Sequence, residues 1–588
     1  MTFIDWFILF LYLLFSLALG IYISLKNHNE ADYFVAGRRL NGVLAGMSMA
    51  ATTFSIDTPL YVAGIIGTRG LAGNWEWWSF GLAHVAMTVI FAPLWRRSGV
   101  LTDAAFTELR YGGKPAAYLR GIKAFLLSVP INCIGIGYAF LAMRKVAESL
   151  GVVDGHAVLG VFTDTTVLMI LVALFLLFYT VLGGLWAVVV NDFVQLLLAL
   201  LGAFTVCYVA LDAAGGMTNL LVKLESLNRP ELLSLFPWTL KKDGLNWLDS
   251  SGISFTTFLA FISLQWWSFR RSDGGGEFIQ RLLATQDEKQ ATLAGIVFLV
   301  VNYLIRSWLW ILVGLAGLVL LPYQADWELS YPNLAVTYLP PVGLGLVVVS
   351  LVAAFMSTVS TSINWGASYL AHDLYQRFLR PSAGPREMIF ISQLASIFLL
   401  LVGVITALFS NSIGAMFRLV IAIGTGPGAV LVLRWFWWRI NALAELSAML
   451  SGFFIGLLTS VSPYFFIEDF GMRLFVNTSF TAVIWLLTLF FSEPESEETL
   501  NKFVTHVKPP GPGWKKIRKK LKIDPVDSFL LIVSRFFLGS GILYGGLVSI
   551  GAFLLHQERS GWIALSVTVI CVFLIKKTKL ITQLVDPT

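Results

Sequence analysis

Residues 46–64 read GMSMAATTFSIDTPLYVAG, an apolar run interrupted by polar residues at a depth where a membrane helix should be apolar. Pro59 has no amide hydrogen to donate, and Asp57 is costly in lipid. Together they predict local unwinding around Thr53–Thr58, which would expose backbone carbonyls. Such carbonyls are tolerated at membrane depth only when they face protein, water or an ion. The alternative is a proline kink in which water solvates Asp57.

The composition indicates that a membrane is the solvent of this chain. Of its 588 residues, 57% are hydrophobic and only 13% are charged, and the mean hydropathy is +0.76. Soluble domains carry about 25% charged residues. The three cysteines lie inside apolar runs, which argues against a disulfide framework, and the six histidines lack metal-ligand spacing. The net charge of +6 is spread over short loops, so we expect no nucleic-acid partner.

Apolar length predicts an all-α integral membrane protein with about 15 transmembrane helices. The runs lie near 3–25, 42–66, 76–97, 118–149, 164–184, 188–212, 252–270, 287–322, 341–378, 387–409, 412–434, 441–465, 473–492, 527–553 and 560–577. The first run has no basic residue before it and no small-residue cleavage site, so we interpret it as a retained helix and not as a signal peptide.

The distribution of Lys and Arg predicts the orientation. Loops after odd-numbered helices hold most of these residues, whereas the even-side loop 322–340 holds none. The positive-inside rule therefore places the odd-side loops in the cytoplasm. We expect a multi-pass protein of the plasma (inner) membrane, with its N-terminus outside and its C-terminus in the cytoplasm.

Segment 493–526 is the only sizeable polar stretch in the second half of the chain. It begins acidic, turns at Pro509–Pro512 and becomes basic over Lys515–Lys522. The basic part could contact anionic membrane lipid headgroups, or it could be ordinary inside-positive topology.

The seventh apolar run is also interrupted, by QWWSFRR at residues 265–271. It follows the interrupted second run by five helices. Two interrupted helices in corresponding positions are typical of the substrate site in transporters built from inverted repeats.

The ninth run carries a face of hydroxyl groups. Its sequence VAAFMSTVSTSINW at 352–365 includes Ser357, Thr358, Ser360 and Thr361, whose spacing puts them on one side of a helix. Sodium is a hard cation, and neutral oxygen ligands suit it by the logic that gives calcium its oxygen cages. The alternative is that these hydroxyls bond to their own backbone or assist helix packing.

Several ordered blocks resemble one family. They are NEADYFVAGRR at 29–39, the stretch 46–64, LTDAAFTELRYG at 101–112, GGLWAVVVNDFVQ at 183–195, QRLLATQDE at 280–288, the stretch 353–375 and RWFWWRIN at 434–441. In these blocks the chain resembles the sodium:solute symporter family, which includes sodium/proline, sodium/galactose and sialic acid symporters.

The resemblance implies a leucine-transporter-type core of two inverted five-helix repeats with flanking helices. On this chain it predicts an N-terminal helix and loop in 1–41, a first repeat in 42–213, an extracellular loop in 214–250, a second repeat in 251–436, accessory helices in 437–492, a cytoplasmic loop in 493–526, and C-terminal helices and tail in 527–588.

The resemblance also implies a sodium site between the broken second helix and the ninth helix. Carried over to this chain, its ligands are the carbonyls of Ala51, Phe54 and Ala354 and the hydroxyls of Ser357 and Thr358. Sodium is then the coupling ion.

Some members of the family hold a second sodium ion. Here the matching residues are Asp192, Ser360 and Thr361, so one or two ions are expected. The alternative for Asp192 is a structural acid near the cytoplasmic mouth.

The resemblance suggests cargo contacts as well. In WEWWS at 75–79, Glu76 and Ser79 match a pattern of sugar-transporting members, and Asp57 and Thr58 align with an acidic-then-amide pair whose amide is absent here. The remaining candidates are Thr53, Gln265 and Arg418. Asp57 and Glu76 on one repeat could face Arg418 or Arg270 on the other. Acids bind ammonium groups and guanidinium groups bind carboxylates, so a charged or zwitterionic cargo is one interpretation. The other is that these charges pair with each other as gates.

The resulting hypothesis is sodium-coupled symport of a small polar solute, without enzymatic activity. Two alternatives stay open, namely a transporter-like membrane sensor and a proton-coupled carrier of the same fold. The sequence leaves the oligomeric state open, and a monomer is compatible with it.

Overall fold

The computed structural model describes residues 1–24, 36–159, 162–241 and 244–578, and it is mostly helical. Most of the block at 29–39, Lys242 in the predicted extracellular loop, and the tail 579–588 lie outside the described residues. Within the described ranges, ten helices are long and apolar enough to cross a membrane, and a bent pair counts as an eleventh span.

The ten helices are Leu71–Ser98, Gly113–Ser149, Val188–Ala213, Glu288–Leu320, Gly343–Leu379, Pro385–Leu408, Ala442–Val461, Phe470–Phe491, Phe529–Leu554 and Glu558–Lys577. The bent pair is Gly42–Thr53 and Asp57–Arg69, which meet at 56°. Further helices are Phe3–Ser24, Phe106–Arg110, Gly216–Ser226, Phe255–Ala260 with its continuation to 268, Gly276–Leu283, Ser330–Tyr338, Ile413–Gly424, Gly428–Phe436, Glu497–Val507 and Lys515–Leu521. Two small hairpins pair Ala157–Leu159 with Phe162–Thr163, and Trp238–Lys241 with Gly244–Trp247.

Two predicted spans differ from the structure. Runs 164–184 and 188–212 form one continuous helix of 50 residues, Asp164–Ala213, which we call the long helix. The span Val188–Ala213 is its C-terminal part. At 1.5 Å per residue it is about 75 Å long. The glycine pair at 183–184 does not break it because a glycine costs a helix only about 1 kcal/mol relative to alanine, and no proline follows.

The eleventh predicted run, 412–434, is broken instead. Helix Ile413–Gly424 ends before Thr425, and a new helix begins at Gly428. Gly426 has φ of 120°, a conformation that L side chains rarely adopt, and Pro427 cannot donate a helical hydrogen bond.

The bent pair, which we call the broken helix, comes apart where the sequence predicts it. The Phe54 amide closes the first half by donating to the carbonyls of Ala50 and Ala51, at 2.9 and 3.0 Å. Asp57 opens the second half, where the positive end of the helix dipole favours an acid. Pro59 lies in the first turn, in which amide donors have no helical partner.

Close packing fixes the broken helix in the bundle. A Cβ on Gly46 would lie 2.5 Å from the carbonyl oxygen of Ala294, so only glycine allows this approach to helix Glu288–Leu320. The long helix packs along Gly343–Leu379, which we call the hydroxyl helix, and both contact the first half of the broken helix. Small residues permit such approaches between membrane helices.

Candidate functional site

A cavity of about 180 Å³ lies where the broken helix meets the hydroxyl helix. We call it the central cavity. Its lining includes Thr53, Asp57, Thr58, Arg270, Arg306 and Thr358. Of the seven residues predicted to contact cargo, Thr53, Asp57 and Thr58 line it.

The break and the hydroxyl helix touch directly. The Thr358 hydroxyl donates to the carbonyl of Thr52 at 2.9 Å, and the Ser357 hydroxyl donates to Asp192 Oδ1 at 2.6 Å. Because each hydroxyl donates its hydrogen to another oxygen, its own lone pairs can bind a cation. The oxygens available to bind a cation are neutral hydroxyls and carbonyls, and the Asp192 carboxylate is hydrogen-bonded to one of them. This combination fits a small monovalent cation.

The other residues of the predicted first sodium site surround this contact. Ala51, Phe54 and Ala354 are buried. The Ala51 carbonyl also accepts the Phe54 amide, whereas the carbonyl of Thr52, which the sequence did not single out, lies nearest to a hydroxyl. The five assignments therefore stay a prediction, with Thr52 as an added candidate.

The predicted second sodium site contains a guanidinium group. Arg281, which is completely buried, donates to the Thr361 hydroxyl at 2.7 Å, and its Nη2 lies 3.5 Å from Asp192 Oδ2. Ser48 donates to the same carboxylate oxygen at 2.5 Å. Ser360 bonds instead to the Ser357 carbonyl on its own helix, at 3.2 Å. Arg281 belongs to the block 280–288, but nothing in its sequence context gave it a role.

Arg306 lies at the end of the first half of the broken helix. Its guanidinium donates to the Ala50 carbonyl and to the Thr53 hydroxyl, each at 2.9 Å, and it stacks against the rings of Phe54 and Trp310. A cation is favoured at the C-terminal end of a helix, as an acid is at the N-terminal end. Arg306 thus lies at the negative, C-terminal end of the first half of the broken helix, and Asp57 lies at the positive, N-terminal end of the second half.

Glu76 does not line the central cavity but forms a buried cluster beside it. Its carboxylate accepts from Arg418 at 2.9 and 3.1 Å, from Arg69 at 2.7 Å and from the Tyr61 hydroxyl at 2.9 Å. Gln265 donates to the backbone carbonyl of Glu76 at 2.7 Å.

This cluster, which we call the Glu76 cluster, separates two cavities. Tyr61 lines the central cavity, whereas Arg69 and Arg418 line a second cavity of about 1010 Å³. The fourth predicted cargo residue outside the central cavity is Ser79, which is buried, and its hydroxyl has no hydrogen-bond partner among the described residues. The geometry therefore favours the gate interpretation for Glu76 and Arg418.

A second charge cluster is formed by residues of other helices, Phe106–Arg110, Gly428–Phe436 and Ala442–Val461, and of the loop at 273. Arg434 binds Asp273 at 2.6 Å and Glu445 at 2.9 Å, and Tyr111 donates to Glu445 at 2.8 Å. Arg110 donates to the backbone carbonyls of Arg434, Trp437 and Ile440. We call this the Arg434 cluster.

Sequence reasoning missed several residues that line the central cavity. They are His84, Asn132, Tyr138, Asn302 and Trp365. Arg270 also lines the cavity, but the sequence already indicated it as a possible cargo contact or gate, because it lies in the interrupted seventh run. The others lie inside ordinary apolar helices, where a single polar side chain gives no sign of the direction in which it points.

The chain is similar to known sodium-coupled transporters. A model of the Sodium:solute symporter family matches residues 33–452. The chain is 25% identical over 496 residues to a sodium/glucose cotransporter of Vibrio parahaemolyticus, covering 80% of this chain and 86% of the relative. It is 24% identical over 450 residues to the high-affinity proline transporter PutP of Bacillus subtilis (strain 168), covering 74% and 88%. A solved structure of a Na+-coupled sialic acid symporter, substrate-bound and outward-open, has a similar fold, with a TM-score of 0.67, 22% identity and coverage of 84% of this chain and 99% of that chain.

Proposed function

Because this chain belongs to the sodium:solute symporter family, we propose that it uses sodium to drive a small polar solute across the plasma membrane by alternating access. Sodium-coupled solute symport is what its family and its relatives share, and they are transporters and not enzymes. The resemblance found in the sequence is thereby confirmed.

The contact between Thr358 and the Thr52 carbonyl carries the proposal. It joins the break in one helix to a hydroxyl on another, at 2.9 Å. Sodium bound by Ala51, Phe54, Ala354, Ser357 and Thr358 would hold these two helices together. Because the central cavity touches the same break, ion and cargo would each raise the affinity for the other by the same factor.

For the number of ions, we propose one. A second ion at Asp192 and Thr361 would have to share a buried pocket with the guanidinium of Arg281. Arg281 already balances the Asp192 carboxylate, and a further cation would meet a like charge without water to screen it.

The two charge clusters suggest gates on opposite sides of the membrane. With the N-terminus outside and the basic helix Lys515–Leu521 in the cytoplasm, the Glu76 cluster faces outward and the Arg434 cluster faces inward. Rocking between inverted repeats 42–213 and 251–436 would open one cluster at a time. The cargo would then contact Thr53, Asp57 and Thr58.

The test uses purified full-length protein in proteoliposomes. We expect Ser357→Ala and Thr358→Val each to lower the apparent sodium affinity of uptake at least about 10-fold, since each removes an oxygen ligand. Ser350→Ala is the matched control, because Ser350 lies on the same helix and bonds to its own turn at Val347. Unchanged sodium dependence in both site variants would refute the assignment.

Two other functions are separated by the same preparation. A pH gradient that drives uptake without sodium would indicate a proton-coupled carrier. Cargo binding without any transport would favour a membrane sensor.

A further inference from the structure

Arg270 is a buried guanidinium that lines the central cavity and has no acidic partner among the described residues. Its exposed fraction is 8%, no carboxylate of those residues lies within 4.0 Å, and its Nε has no acceptor there. The neighbouring Arg271 differs, since it binds Glu277 at 2.5 Å. The Arg270 guanidinium lies over the ring of Phe269, 5.4 Å from the ring centroid.

The backbone holds Arg270 in place at the meeting point of two helix breaks. Its amide donates to the Gly424 carbonyl at 2.8 Å, and Phe269 pairs with Thr425 in a β-bridge. This anchored backbone and the burial of the side chain limit the freedom that the guanidinium loses when it binds a ligand.

The charges around the central cavity do not balance. Its lining carries three guanidinium groups, from Arg270, Arg271 and Arg306, against the two carboxylates of Asp57 and Glu277. Arg306 donates to the Ala50 carbonyl and the Thr53 hydroxyl, and Arg271 binds Glu277, although the Nε of each has no acceptor among the described residues. Arg270 has neither a carboxylate nor a hydrogen-bond acceptor for its guanidinium among those residues, so we assign the excess positive charge to it. An unpaired charge away from water is costly, and sodium bound beside Thr358 would add a second positive charge nearby.

From this imbalance we infer that the cargo is a small organic acid with one carboxylate and no ammonium group, whose carboxylate binds Arg270. The inference rests on the proposed function and specifies its cargo. Guanidinium binds carboxylate through two parallel hydrogen bonds, which a neutral sugar or an alcohol cannot reproduce. Asp57 Oδ1, buried and without a partner among the described residues, is placed to accept a hydroxyl of the same cargo.

The experiment measures binding by thermal shift, with saturating sodium. Each probe is a small carboxylate paired with an uncharged or zwitterionic analogue, such as glucuronate with glucose, lactate with lactamide, and lactate with alanine. We expect at least one acid to bind at least about 10-fold more tightly than its analogue. Arg270→Gln should remove that preference and Arg270→Lys should retain part of it. Arg380→Gln, at an exposed guanidinium paired with Glu387, should change nothing.

The inference and the proposed function fail in different ways. A thermal shift by sodium alone, without cargo, reports on the cation site and should survive in Arg270→Gln. If sodium stabilises the parent protein but no acid binds more tightly than its analogue, or if Arg270→Gln keeps the preference, the cargo inference is overturned. If sodium gives no shift in the parent protein, the proposed function itself fails.

Discussion

Arg418 and Glu76 face each other in a bidentate pair, with Nε and Nη2 of the guanidinium 2.9 and 3.1 Å from the two carboxylate oxygens. The pair joins helix Ile413–Gly424 to helix Leu71–Ser98 beside the central cavity. Glu76 is completely buried, and Arg69 approaches the same carboxylate. Two guanidinium groups thus share one buried carboxylate between residues that line the two cavities.

Removing the charge of Glu76 should lower the stability of the folded protein. In Glu76→Gln, both Arg69 and Arg418 lose their carboxylate, and breaking a buried pair costs about 3–5 kcal/mol. We expect a clearly lower thermal unfolding temperature in detergent. The matched control is Glu387→Gln, whose partner Arg380 is 63% exposed, so its loss should stay below about 1 kcal/mol. Equal losses in the two variants would contradict the role given to the Glu76 cluster.

Neutralising Arg281 should make the protein depend on sodium more strongly. Arg281→Gln leaves Asp192 as a buried carboxylate without a counter-charge, so sodium should bind there more favourably than in the parent protein. We expect a steeper rise of unfolding temperature with NaCl than in the parent protein, at ionic strength held constant with choline chloride. The control is Arg144→Gln, because Arg144 is a half-buried guanidinium that pairs with the exposed Glu148 one helical turn later. If the unfolding temperatures of Arg281→Gln and the parent protein rise identically with NaCl, Arg281 does not act as the counter-charge that keeps sodium away from Asp192.

Gly428 should not tolerate a side chain. A Cβ there would lie 2.3 Å from the Trp267 carbonyl oxygen and 2.5 Å from that of Phe269, and the backbone cannot move away cheaply. Overpacking of this kind costs about 1–3 kcal/mol. Because Phe269 precedes Arg270, we also expect Gly428→Ala to weaken cargo uptake. Gly384→Ala, with nothing within 4 Å of the new methyl group, should leave stability and uptake unchanged.

Glu108, in a short helix between two spans, should contribute stability that depends on pH. Burial alone would raise the pKa of Glu108, but hydrogen bonds from Arg377 and Arg120 hold its pKa below the ordinary value. A carboxyl whose pKa is lowered on folding stabilises fully above its unfolded pKa of about 4.3, and loses that contribution as pH falls through the lowered value. Glu108→Gln should therefore unfold at a slightly lower temperature than the parent at neutral pH. The difference, below about 1 kcal/mol for a partly exposed pair, should shrink as the pH falls below about 4. A difference that grows on acidification would reverse the assigned sign.

Local signals in the sequence predicted the features that depend on neighbouring residues. Pro59 and Asp57 gave the break in the second run, and apolar length placed run 287–322 close to helix Glu288–Leu320. Apolar length also divided 164–212 into two runs that form one helix, and it overlooked the break at the Gly-Pro pair 426–427. A break depends on whether packing resists it, which is a property of the neighbours in space and not of the chain.

Partners distant along the chain could not be predicted. Glu76 pairs with Arg418 across 342 residues, a pairing that the gate interpretation left open among several charges. Asp192 lies beside Arg281 across 89 residues, and the sequence gave no sign of that partner. The sequence around an intramembrane acid does not reveal whether the acid binds cargo or forms a gate. The two roles differ in whether a distant helix brings a guanidinium group next to the acid.

The guanidinium beside Asp192 is covalently part of the chain, so it cannot be released on either side of the membrane. A dissociable ion in its place would cross the voltage in every cycle, and each elementary charge moved is worth about 2.3 kcal/mol per 100 mV. With a tethered cation, one sodium ion and one singly negative solute, the loaded carrier transfers no net charge. Accumulation would then follow the ratio of sodium concentrations and be electrically silent.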